Sequence, residues 1–157
     1  MSQLLYDGYK KAVKFTDKNT TVDLCQAFII IEKDSKPNDP LPFCVLYSGY
    51  FALASVDKKE INLETLSDIR RKAMKEYFKH KSNPSNVLLN YQKIMEDKNV
   101  FNAYNFYLFQ IGDKEGFENW LTNNKIEYEK FVDWYTNDTN SLKINKKNLY
   151  LSDPLPK

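Results

Sequence analysis

Eleven tyrosines, ten phenylalanines and two tryptophans share this chain with only four glycines. Tight left-handed turns and bulges draw on glycine, so a chain this poor in it has few places to build a large barrel or sandwich. The rings supply large apolar surfaces that must be packed somewhere. At 157 residues the chain is one domain long, enough to bury about two thirds of its unfolded surface. With 42% hydrophobic and 28% charged residues it is not composed like a disordered segment.

Apolar spacing is helical over most of the chain. Leu4, Leu5, Tyr9, Ala12 and Val13 predict a first amphipathic helix. Thr20 followed by Asp23 reads as a capping box with Asp in place of Glu, and Leu24, Cys25, Phe28 and Ile31 continue at helical spacing. Ile29-Ile30-Ile31 suits a strand equally, so a β-hairpin within 26–56 is the competing reading and would make the fold α+β. The prolines between Ser35 and Pro42 demand a loop, after which Phe43, Leu46, Tyr47, Tyr50 and Ala54 share one helical face.

Beyond Glu60 the pattern is stronger. Leu66, Ile69, Ala73 and Tyr77 mark the buried stripe of a helix over Leu63 to Lys81, and Ser85 is placed to cap the next, which runs to Asp97. Asn99 to Ile111 is apolar almost all round, interrupted by Asn102, Asn105 and Gln110, as in the most buried helix of a bundle. Asp113 can cap a short helix carrying Phe117, Trp120 and Leu121. Asn123-Asn124 breaks it, and Tyr128, Phe131, Val132 and Tyr135 line a last one. Short connections favour antiparallel neighbours. The expected fold is mostly α: an irregular multi-helix bundle of antiparallel helical hairpins over 1–136, with Tyr104, Leu108, Ile111, Leu121 and Phe131 in its core. A polar extension over 137–157 is expected as a docked strand or a tail.

Signs of chemistry are few. Cys25 and Cys44 sit among apolar neighbours and read as two buried, reduced thiols. The single histidine, His80, lies in Lys79-His80-Lys81 at the expected exposed end of a helix. The glycines fit neither a Walker loop nor a dinucleotide fingerprint. Glu115 and Glu118, and Glu129 and Asp133, lie one turn apart, but neither pair belongs to a catalytic motif. The expectation is therefore a protein without catalytic residues, metal or cofactor. No apolar run approaches the roughly 20 residues of a membrane span. Met1 to Lys14 lacks the apolar core of an export signal, so a soluble cytoplasmic protein is expected.

Charge is +2 overall but unevenly spread. Arg70 to Lys81 holds six Lys or Arg against Glu76, and Arg71, Lys75 and Lys79 align as one ridge that could follow a phosphate backbone. Gln110 to Asp138 holds seven acids against three lysines, interleaved with large aromatics. Glu118, Trp120, Glu127, Asp133 and Trp134 are the candidate contacts of this acidic aromatic face, which suits a protein partner with a basic surface. The favoured expectation is a small protein that binds another protein, of the inhibitor, immunity, antitoxin or anti-defence kind. Nucleic-acid binding through Arg71, Lys75 and Lys79 is the alternative, and an enzyme without a recognisable motif the second. Richness in Asn and Lys fits an A+T-rich coding sequence, as in microbes and viruses.

Overall fold

The computed structural model describes residues 2–16, 19–25, 41 and 43–144. Seven helices and one two-stranded sheet make up the described residues: α1 (Ser2–Ala12), β1 (Val13–Phe15), β2 (Thr20–Val22), α2 (Phe43–Ala54), α3 (Leu63–Lys79), α4 (Val87–Asp97), α5 (Phe101–Phe109), α6 (Lys114–Asn123) and α7 (Lys125–Tyr135). A single 3-10 turn, Asp138–Asn140, follows. The fold is mostly α, as the periodicity predicts. Helices α3 and α5 form its centre: α2, α4 and α5 pack on α3, while α1, α4 and α7 pack on α5. Phe51, Leu66, Ile69, Phe101, Phe109 and Phe131 are fully buried between them, each side chain contributing about 2 kcal/mol relative to exposure.

The β-hairpin falls outside the predicted span. Helix α2 occupies 43–54, so the hairpin reading of 26–56 fails there, and 26–40 lies outside the described residues. The antiparallel pair is Val13–Phe15 with Thr20–Val22, in the register Val13↔Val22 and Phe15↔Thr20. The supposed capping residue Thr20 is a strand residue. Its run of Thr20, Thr21 and Val22 is β-branched, and Thr16 closes the turn by hydrogen bonds with Asn19. Residues Asp23 to Cys25 are not helical, so the helix predicted through Leu24 and Cys25 does not start there.

Two further expectations are corrected. Ile111 is 54% exposed rather than core. Helix α5 ends at Phe109, and a turn closed by Gly112 N–H to the Phe109 carbonyl carries Ile111 off the helix face. Phe131 is buried as predicted, whereas Tyr104, Leu108 and Leu121 are half-buried. Leu4 and Leu5 of α1 point outward, because the helix docks through Ser2, Tyr6 and Tyr9. The Ser2 hydroxyl donates to the Leu108 carbonyl, and the Tyr6 and Tyr9 rings lie 6.1 and 5.7 Å from that of Phe109.

Caps set the helix ends that matter for the surface. Asn62 and Thr65 form a reciprocal capping box at α3. Asn86, one residue after the expected Ser85, caps α4 by accepting from Leu88 and Leu89 N–H. Helix α4 closes in a Schellman turn: Val100 N–H bonds the Met95 carbonyl and Asn99 N–H the Glu96 carbonyl, with Asn99 at φ 55°. That left-handed residue is why α5 begins at Phe101 and not at Asn99. Asp113 caps α6 as expected. Asn124 is both the last cap of α6 and the first of α7. The start of the polar extension is tied down by Asn140 Nδ2 donating to the Trp134 carbonyl. The remainder, 145–157, lies outside the described residues.

The cysteines are not two separate thiols. Cys25, just after β2, is disulfide-bonded to Cys44 in the first turn of α2, with their Cα atoms 5.0 Å apart. Both are half-buried. Separate apolar neighbourhoods in sequence become one neighbourhood because Leu24 N–H is held by the Ser48 hydroxyl of α2 at 3.0 Å.

Candidate functional site

Ser67 and Arg70 on α3 face Asn102 and Asn105 on α5, each pair one helical turn apart. Arg70 is only 4% exposed, and no carboxylate reaches it among the described residues. Its Nη1 donates to Asn105 Oδ1. Asn105 Nδ2 donates to Ser67 Oγ at 3.1 Å, Ser67 Oγ donates to Asn102 Oδ1 at 2.8 Å, and Asn102 Nδ2 donates to Glu127 Oε1 at 3.1 Å. Every donor in this chain points the same way, from the buried cation to a carboxylate at the surface, so each bond polarises the next. The rings of Tyr9, Phe101, Tyr104 and Phe109 surround the guanidinium at 5.0–5.9 Å. Their π faces stand in for a counter-ion.

Glu127 opens onto a groove of about 860 Å³ at the end of the bundle, where the α4–α5 turn meets the α6–α7 turn. Arg71, Glu96, Asn99, Asn102 and Lys130 also line it. The two surfaces predicted separately, the basic ridge and the acidic face, therefore share a groove through Arg71 and Glu127. The ridge itself is largely neutralised. Glu96 of α4 takes Arg71 Nε at 3.1 Å and Lys75 Nζ at 2.6 Å, and Lys79 pairs with Glu76 at 2.5 Å.

At the other end of α7 the aromatic residues spread across three helices. Trp134 lies 5.8 Å from Tyr91 of α4, and Tyr135 lies 6.3 Å from Tyr104 and 6.0 Å from Tyr107 of α5. Tyr107 and Tyr135 are 37% and 42% exposed, while Trp134 and Tyr91 are half-buried. Burial pushes the Tyr91 phenol above its ordinary pKa, and the nearby Tyr135 and Tyr104 phenols add to the shift. Asp133, on α7 beside Trp134, is exposed, as is Glu118 on α6. Trp120 is turned into the body, its indole stacked on Phe106 at 4.4 Å and flanked by Phe117 and Tyr128. Of the five predicted face residues, Glu127, Asp133 and Trp134 thus follow one another along α7, whereas Glu118 and Trp120 belong to α6.

The residues not anticipated are Arg70, Ser67, Asn105, Glu96, Tyr91 and Tyr107. One signal was present: Asn102 and Asn105, spaced by three, interrupt an otherwise apolar helix, and buried amides require partners. Among the described residues no group of three His, Cys, Asp or Glu could hold a metal ion. None of their helices is long and apolar enough to cross a membrane. Compared with known protein families, characterised proteins and solved structures, the chain matches none.

Proposed function

We propose that this protein acts by binding another protein, in the manner of an inhibitory or neutralising partner, and that its contact face is built on the C-terminal half of α7. The observation that carries this reading is the open aromatic cluster of Tyr91, Tyr107, Trp134 and Tyr135, which continues the core outward to solvent. Tyr and Trp are the residues that anchor protein interfaces. Asp133 beside them gives the face an acidic rim, which speeds encounter with a basic partner. Pairing of Arg71, Lys75 and Lys79 with acids leaves nucleic-acid binding the weaker reading. The Cys25–Cys44 bond favours a compartment that preserves disulfides over the reducing cytoplasm expected from sequence.

The test compares the wild type with a Trp134→Ala/Tyr135→Ala variant as bait for proteins of the native source. Loss of a specific partner, with the melting temperature of the variant largely kept, supports the face. Equal capture by both, or no partner for either, overturns it.

A further inference from the structure

We infer that the Glu127 groove receives a basic side chain of the partner polypeptide, with Glu127 as its acceptor and buried Arg70 holding that acceptor in place. The inference rests on the protein-binding reading above and adds a second contact to it. Glu127 and Trp134 are seven residues apart on α7, two turns along the same side, which is about 10 Å at 1.5 Å per residue. One bound segment can therefore touch both.

Three observations point to this occupant. First, Glu127 makes no ion pair among the described residues, while its Oε1 is fixed by Asn102; a carboxylate binds two or more donors and has capacity left. Second, the neighbouring charges are already committed: Arg71 and Lys75 to Glu96, and Lys125 to Glu129 at 3.9 Å. Among the described residues of the groove, Lys130 is the cation left outside an ion pair; it is exposed on α7 and is placed to meet an acidic or carbonyl group of the same segment. Third, the exposed Asn99 lines the groove beside Asn102, and its side-chain amide can meet the donor and acceptor of a peptide bond. The groove volume lies in the range of pockets that take ligands of this size.

Arg70 acts here as a positioning residue. Its charge orients three further donors, on Asn105, Ser67 and Asn102, toward Glu127, so the carboxylate is preorganised before any partner arrives.

The experiment titrates the full chain, labelled for NMR, with N-acetyl-arginine amide, a basic side chain flanked by two peptide groups. N-acetyl-glutamate amide serves as the opposite-charge control. The arginine probe is expected to move the side-chain amide signals of Asn99 and Asn102, and Glu127→Gln is expected to weaken it by about tenfold or more. The Glu127→Gln side chain keeps an oxygen for Asn102, so the fold is retained in that variant. Absence of groove shifts at the solubility limit, equal binding to Glu127→Gln, or tighter binding of the glutamate probe would each overturn the inference. The probe needs no partner, so the two readings separate. Partner capture that depends on Trp134 but not on Glu127 removes the groove alone. Glu127-dependent probe binding without any captured partner overturns the protein-binding reading and leaves only the groove's preference for a basic side chain.

Discussion

The Arg70 guanidinium lies 5.0 Å from the centroid of the Phe109 ring, inside the α1–α3–α5 junction. A charge in that position would be expensive if it stood alone. The four surrounding rings and the Asn105 side-chain oxygen, whose amide is tied through Ser67 and Asn102 to Glu127, offset the lost hydration.

Arg70→Ala removes the cation, leaves the Asn105 oxygen without its donor and opens a cavity among four rings. A loss of about 3–5 kcal/mol is expected from chemical denaturation. Arg70→Met fills the same space without a charge and should recover much of that loss. A Met variant as unstable as the Ala variant would mean that the hydrogen-bond chain, and not packing, carries the stability.

Reduction of the Cys25–Cys44 bond releases a segment whose ends are 19 residues apart. Loop-closure entropy puts its contribution at about 3 kcal/mol. The melting temperature should fall when reductant is added, and a Cys25→Ser/Cys44→Ser variant should melt low with or without it. Thiol titration of the unreduced, unfolded protein is expected to find no free cysteine.

The basic ridge should respond unevenly to charge reversal. Spacing alone makes Arg71, Lys75 and Lys79 equivalent, but Glu96 divides them. Arg71→Glu/Lys75→Glu brings two new carboxylates against Glu96 and is expected to destabilise by about 1 kcal/mol or more. Lys79→Glu, on an exposed pair with Glu76, should leave the melting temperature nearly unchanged.

Tyr6 contributes to stability at alkaline pH. Burial, and then the charge and hydrogen bond of Asp113, push its phenol from 10.0 up to about 12. The folded state holds this proton more tightly than the unfolded chain. The stabilisation is therefore fully present below about pH 10 and is lost as pH rises toward about 12. Burial also pushes Tyr77, Tyr91 and Tyr104 up, so a phenolate absorbance titration should show several late-ionising tyrosines, and Tyr6→Phe should remove one of them.

Two glycine substitutions should have opposite signs. Gly8, within α1, has nothing near the position of an added Cβ, so Gly8→Ala should stabilise by about 0.5–1 kcal/mol. The same methyl at Gly112 runs into the Tyr6 ring, and Gly112→Ala should cost about 1–3 kcal/mol in thermal melts.

Most of the helical architecture was legible from local pattern. Leu66, Ile69, Ala73 and Tyr77 recur at helical spacing and are buried or centrally packed on α3, and Asp113 and the Asn123-Asn124 break delimit α6 where capping chemistry places them. Such signals act within one or two turns, so the sequence contains them whole. What the tertiary structure decided involves partners beyond the reach of helical periodicity, most of them far apart in the chain. Thr20 became a strand residue because Phe15 was there to pair with it. Cys25 became half of a disulfide because α2 returned Cys44 to it. Arg70 read as one more member of a basic helix, and its burial followed from the Asn105 amide 35 residues away and from rings contributed by α1 and α5. Glu127 read as a rim acid and acquired a fixed position from Asn102, 25 residues distant. Periodicity says which face of a helix turns inward. It does not say which helix waits there, and for a buried charge or an amide that neighbour determines everything the group can do.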